Sequence, residues 1–233
     1  MPGAFTELRR LAHEANQALP ASGLVKYAFG NASAMDRGRG VFAIKPSGVP
    51  YTALRPADMV IVDLDGRLVD GRLSPSSDTR THAVLYRSFP AIGGIVHTHS
   101  THATAWAQAG RSIPVLGTTH ADHLDRDVPC TRPMSPKAIR GDYEAETGKA
   151  IVKAFRSISP AETPMVLVFG HGPFTWGATA EKAVYHAVIL EELAKMAFLT
   201  LGINPRAPRL NRTLVSRHFN RKHGKNATYG QKP

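Results

Sequence analysis

The sequence predicts a layered α/β fold built on a mixed or mainly antiparallel sheet. Three observations carry that expectation. Segments with helical spacing are interspersed with short apolar runs of strand length. A two-residue hairpin signal, Asp65-Gly66, joins two of the strand candidates, so these neighbours run in opposite directions. No Gly-x-Gly-x-x-Gly turn follows a strand and no Walker loop is present, which leaves dinucleotide binding and nucleotide hydrolysis without support.

The elements follow in chain order. Phe5, Leu8, Leu11, Ala12, Ala15 and Leu19 lie near helical spacing and predict a helix over 4–19, ended by Pro20 and Gly23. Gly30-Asn31-Ala32-Ser33 reads as a turn between two short strand-like runs. Residues 41–44 read as a strand, and Lys45-Pro46-Ser47-Gly48 turns the chain after it. Residues 59–64 and 67–69 flank the hairpin signal. Pro75-Ser76-Ser77-Asp78-Thr79 leads into a helix from about 80 to 89, which the serines can cap. Residues 92–99 read as a strand buried on both faces, and 101–109 as helical. Prolines break 110–143 into short pieces, and a further helix covers 145–155. A buried strand over 165–169 stops at Gly170-His171-Gly172-Pro173. Thr179 then caps a long helix to about 201, and the tail from about 203 is polar and basic.

The length of 233 residues suits one domain over 1–233, and no Pro-, Gly- or Ser-rich linker divides it. No apolar run of about 18 residues is present, so no membrane span is expected. The charged N-terminus lacks a secretory apolar core, which places the chain in the cytoplasm. Cys130 is the only cysteine, so no intramolecular disulfide forms. The net charge of +11 is compatible with a solvated basic surface or with attraction of a phosphorylated substrate. Nucleic acid is not expected as a partner, because aromatics do not interleave with the basic residues.

His97-Thr98-His99 ends an apolar run. On a strand, positions i and i+2 share a face, so two imidazoles lie side by side. Such a pair suits a borderline cation such as zinc or manganese, although two polar histidines in a strand-end turn would read the same way. His171 is the best third ligand, because it also follows a buried strand and Gly170 and Gly172 leave room beside it. Three imidazoles with an open position make a catalytic site rather than a closed structural one. Asp78 is a possible fourth ligand, with helix N-capping as its alternative role. His13, His82, His102 and His186 read as surface or packing residues, and His120 and His123 as neighbours of Asp122.

Six motifs occur in order: Gly30-Asn31-Ala32-Ser33, Ile44-Lys45-Pro46-Ser47-Gly48, Pro75-Ser76-Ser77-Asp78-Thr79, residues 93–99, Gly117-Thr118-Thr119-His120-Ala121-Asp122, and His171-Gly172-Pro173-Phe174. Together they resemble the class II aldolase/adducin-head family across nearly the whole chain. The resemblance implies a three-layer α/β/α fold with a central, mostly antiparallel sheet. It also implies a homotetramer with active sites at subunit boundaries. The expected cofactor is a divalent metal, Zn2+ or Mn2+, on Asp78, His97, His99 and His171. The expected acid/base pair is Asp122 and Tyr229, the latter from a neighbouring subunit. Gly30, Asn31, Lys45, Ser47, Gly48, Ser76 and Ser77 are the expected contacts for a small sugar phosphate. Ser76 and Ser77, at a helix N-terminus, suit an anion on physical grounds as well. The implied chemistry is epimerisation at C4 of a pentulose 5-phosphate by retro-aldol cleavage and re-addition. A class II aldolase cleaving a related sugar phosphate, such as L-fuculose 1-phosphate, is the alternative.

Overall fold

The computed structural model describes residues 3–224 and 227. In chain order the elements are α1 (Thr6–Ala21), β1 (Asn31–Asp36), β2 (Val41–Ile44), β3 (Val60–Asp63), β4 (Leu68–Asp70), α2 (Thr79–Ser88), β5 (Gly94–His97), α3 (Thr101–Gln108), α4 (Thr118–Ala121), α5 (Pro136–Arg140), α6 (Tyr143–Ala154), β6 (Met165–Val168), β7 (Gly172–Gly177), α7 (Ala180–Ile203) and α8 (Arg212–His223). Seven strands form one sheet in the order β4-β3-β2-β1-β5-β7-β6. Every pair of neighbours is antiparallel.

The period of two along each strand builds the layers. Val41 and Ala43 face a core completed by Leu8, Ala12 and Ala15 of α1 and by Ala183 and Ala187 of α7. Phe42 and Ile44 face the opposite core, with Leu85 and Tyr86 of α2 and Ile151 of α6. Ile95 and Val96 divide between the same two cores. Helices therefore cover both faces of an antiparallel sheet, as expected. A third cluster joins Ala103 and Trp106 of α3 to Leu190 and Ala194 of α7.

Several expectations are corrected. Gly30-Asn31-Ala32-Ser33 is not a turn: Asn31 opens β1 and pairs with His97. Apart from Met35, β1 is made of small and polar residues, so it carries little β propensity and is held by its place in the sheet. β7, with Gly at both ends and Pro173 inside, escapes a reading of local propensity for the same reason. The hairpin between β3 and β4 is not a two-residue turn. Gly66 N–H bonds Asp63 O at 2.9 Å and Gly66 has φ +79°. That is a longer loop with a left-handed glycine. Helix α1 runs through Pro20 to Ala21. The polar tail contains α8, whose buried residue is Val215. None of the helices is long and apolar enough to cross a membrane among the described residues.

His120, on α4, is buried and its Nε2 lies 3.0 Å from Arg126 O. Burial pushes its pKa down to about 4. An unfolded histidine titrates near 6.5, so below that pH the unfolded chain binds more protons than the fold. The stability this neutral imidazole contributes is present above about pH 6.5 and is lost as pH falls towards 4. Urea unfolding at pH 6.5 and pH 5 should show a loss of about 1.5 kcal/mol from this residue. His120→Gln should flatten the pH slope by that amount, and equal slopes would overturn the assignment.

Candidate metal centre

β5 and the turn before β7 bring three histidines together. β5 ends at His97, whose Cα partner on β7 is Phe174. The chain then leaves the sheet through Thr98 and His99 into α3. His171 precedes β7, so its ring meets the other two from the opposite strand. The ring centroids lie 4.9 Å (His97–His99), 4.7 Å (His97–His171) and 5.1 Å (His99–His171) apart. One ligand nitrogen from each falls within 4.8 Å of the others.

The donor set fits a cation. His97 Nδ1 lies 2.9 Å from the carbonyl of Pro173 and donates to it, which leaves Nε2 with its lone pair. His97 Nε2 and His99 Nε2 face each other at 3.0 Å. Among the described residues, His171 Nδ1 is buried without a hydrogen-bond partner. A buried imidazole nitrogen left in that state is costly unless something coordinates it. Burial, reinforced by His97, pushes His171 down to about 4 and lowers His99. These two rings are therefore neutral at neutral pH, the form that ligates metal.

Glycine makes the close approach possible. A Cβ on Gly30 would lie 2.6 Å from His97 O, and one on Gly172 would lie 2.8 Å from Thr98 O. His97 also stacks on Phe174, with centroids 4.2 Å apart and 18° between planes.

Asp78 holds the N-cap position of α2, but its side chain makes no capping bond. It accepts instead from Asn31 Nδ2 at 2.7 Å. Burial alone would raise its pKa, but His97, His82 and the Asn31 amide outweigh that and hold the carboxyl below the usual range. Asp78 lies outside the 4.8 Å histidine set yet within reach of its charge.

Several of the expected substrate contacts are tied to one another by hydrogen bonds. Ser47 N–H bonds Ser74 O at 2.9 Å, and Ser76 N–H bonds Lys45 O at 3.0 Å. Asn31 Nδ2 also reaches Ser76 Oγ at 3.1 Å. The turn at Gly48, with φ +71°, is thereby laid against the loop that carries Ser76. Ser76 and Ser77 line a cavity of about 570 Å³ at the start of α2, beside Arg80. Lys45 is buried, and among the described residues its Nζ meets Pro46 O, at 3.4 Å, and the face of Tyr51, 5.0 Å away. Burial lowers its pKa.

The structure does not bring Asp122 to the histidines of its own chain. Asp122 follows α4 and is gripped by α8: His218 Nδ1 lies 3.0 Å from Oδ1 and Arg221 donates at 2.9 Å. Burial would raise its pKa, but these two partners and Lys222 hold it low. Among the described residues, the groups that lie within 4.8 Å of one another at the cluster are His97, His99 and His171, without Asp122. His123 lines a cavity of about 630 Å³ with Trp176, Gly177 and His223. That is the Gly177 end of β7, roughly 17 Å along the strand from the Gly172 end where His171 stands. Tyr229 lies outside the described residues.

Sequence reasoning missed other supporting groups. Glu191 of α7 accepts from the backbone N–H of His102 at 2.8 Å and of Ala103 at 2.9 Å, and meets His102 Nδ1 at 2.8 Å. It pins the start of α3 directly after His99. His218 and Arg221 escape notice because their helix reads as a polar tail. His82, expected to be a surface or packing residue, is a packing one: it is fully buried, with Nδ1 2.8 Å from Ser33 Oγ.

Comparison with known proteins agrees with this architecture. The profile for the class II aldolase and adducin N-terminal domain matches residues 10–198. The L-ribulose-5-phosphate 4-epimerase UlaF of Salmonella paratyphi B is 53% identical over 226 residues, covering 97% of this chain and 99% of that protein. Among solved structures, an L-fuculose 1-phosphate aldolase superposes with a TM-score of 0.76 at 23% identity, covering 91% of this chain and 94% of the other. The L-fuculose-1-phosphate aldolase of Thermus thermophilus does so with a TM-score of 0.65 at 26% identity, covering 87% and 98%. With its sheet, its histidine cluster and most of its length accounted for in this way, the chain belongs to the class II aldolase and adducin N-terminal domain family.

Proposed function

We propose that this protein is an L-ribulose-5-phosphate 4-epimerase, interconverting L-ribulose 5-phosphate and D-xylulose 5-phosphate. The single observation that carries the reading is the 53% identity over 97% of the chain to a protein of that name. The three-histidine cluster supplies the chemistry such a reaction needs.

C4 of the pentulose is not adjacent to the carbonyl, so enolisation cannot loosen its hydrogen. Breaking the C3–C4 bond gives the enediolate of dihydroxyacetone and glycolaldehyde phosphate. The aldehyde turns its other face and the bond re-forms with C4 inverted. His97, His99 and His171, with Asp78 as the fourth ligand, would hold the divalent cation, Zn2+ or Mn2+. Bound there, the cation supplies Lewis acidity towards the ketose oxygens.

Asp122 and Tyr229 are the proposed acid/base pair, one for each face of the aldehyde. Asp122, held ionised by His218 and Arg221, is suited to accept the C4 hydroxyl proton. Its separation from the cluster of its own chain supports a site completed by a neighbouring copy, as in a homotetramer with active sites at subunit boundaries. Lys45, Gly30, Asn31, Ser47, Gly48, Ser76 and Ser77 bind the substrate. The uncapped N-terminus of α2 beside Ser76 and Ser77 suits the phosphate.

The test is conversion of L-ribulose 5-phosphate to D-xylulose 5-phosphate, with chelator and after return of zinc or manganese. Metal-dependent conversion without free glycolaldehyde phosphate is the expected result. Metal-dependent release of the aldehyde would make the protein an aldolase and overturn the epimerase reading.

A further inference from the structure

Four side chains would hold the cation and two would move protons, yet the retro-aldol step also loads negative charge onto a substrate oxygen. A preorganised hydrogen-bond donor aimed at such an oxygen is a large contributor to rate in other enzymes. Besides the histidines themselves, the aromatic rings within ring-contact range of the cluster among the described residues belong to Phe29, Phe174 and Tyr143. Only Tyr143 carries a hydroxyl.

Its position is built by the packing of α6 on α2. Gly148 of α6 has no Cβ, and one added there would lie 2.7 Å from Val84 Cβ and 3.2 Å from Thr81 O. The backbones of the two helices therefore meet closely. Thr81 Oγ1 donates to Glu144 O at 2.7 Å, and Arg80 pairs with Asp142. Asp142 in turn caps α6, accepting from Ala145 N–H at 3.2 Å. These ties set the N-terminal ends of α2 and α6 side by side. Asp78 precedes the first, and Tyr143 is the first residue of the second. The Tyr143 ring stands 6.1 Å from the His171 ring. A tyrosine phenol is protonated at neutral pH and can therefore donate.

We propose that Tyr143 is a further catalytic residue of this centre, its phenol donating a hydrogen bond to the substrate oxygen that gains charge as the C3–C4 bond breaks. The inference rests on the retro-aldol reading above. The phenol transfers no proton; the electron pair of the broken bond passes into the enediolate, and the C4 hydroxyl proton goes to the acid/base pair. An oxygen that is more negative in the transition state than in the ground state draws more from this bond, so its loss falls on kcat rather than KM.

Tyr143→Phe in the metal-loaded protein tests this with three readouts: metal per subunit, kcat against KM, and calorimetric affinity for glycolohydroxamate, a planar mimic of the dihydroxyacetone enediolate. Expected are unchanged metal, KM within about threefold, kcat lower by about 100-fold, and hydroxamate binding weaker by about 10-fold. Wild-type kcat and hydroxamate affinity in the variant would overturn the inference. So would a loss of activity that only tracks a loss of metal. If the wild-type protein turns over neither pentulose 5-phosphate while hydroxamate binding still depends on Tyr143, the epimerase reading fails and the donor assignment stands.

Discussion

His97→Asn should abolish metal binding and lower kcat by at least about 1000-fold while the sheet survives. The expectation follows from the two nitrogens of this ring. Nδ1 is committed to Pro173 O at 2.9 Å, so Nε2 is left to face His99 Nε2 at 3.0 Å. Asparagine is shorter and offers no imidazole nitrogen to the cluster. Removing even an outer hydrogen-bond partner of a metal ligand weakens affinity by about 10- to 100-fold, and loss of the ligand itself costs more. The main structural loss is the stacking on Phe174. Far-UV circular dichroism should therefore match the wild type, while metal analysis shows an empty protein. Bound metal with full activity would sink the assignment of the cluster.

Asp122→Asn should separate chemistry from metal binding. The carboxylate stands apart from the histidines, so metal content and metal affinity should not move. A general acid/base residue contributes about 100- to 10,000-fold, and kcat should fall within that range. The amide still accepts from Arg221 and His218, so α4 and α8 stay joined. Mixing the two variants tests whether the site is shared. Each alone is nearly inactive. If Asp122 serves the cluster of a neighbouring copy, random reassembly rebuilds roughly a quarter of the sites from one intact cluster and one intact Asp122. Recovery of activity supports the shared site, and its absence in verified mixed oligomers argues that each chain acts alone.

The residues of the centre are more legible in the sequence than the strands that carry them. His97 and His99 announce themselves by their spacing at the end of an apolar run, and His171 by its flanking glycines. Their convergence is not legible, because it depends on β7 lying between β5 and β6. β7 carries Gly172, Pro173 and Gly177, and local propensity counts against a strand there. The start of β1 reads as a turn because Asn31, Ala32 and Ser33 favour turns when considered alone. In the sheet, Asn31 instead points its amide at Ser76 and Asp78. α8 is invisible for the opposite reason. Val215 is its buried residue, and polar contacts with Asp122 do the rest. Tyr143 cannot be singled out from sequence, since its role depends on a glycine one turn and a half further along the helix.

The strand order also dictates when the cation can enter during folding. Strands β1 to β4 follow one another in sequence and lie side by side, joined by residues 37–40, 45–59 and 64–67, so each pairing in that meander closes a shorter loop than the pairing of β1 with β5. β5 must reach back past α2 to pair with β1, and β7 must then slot between β5 and β6. Pairings that close long loops form late, because chain entropy is lost before they reward it. The three histidines come from the last strands to assemble. A metal therefore cannot nucleate this fold, but it can lock it: binding only to the finished sheet, it stabilises the native state in proportion to the logarithm of its concentration. Chelation should speed unfolding of the finished sheet far more than it slows the assembly of the meander.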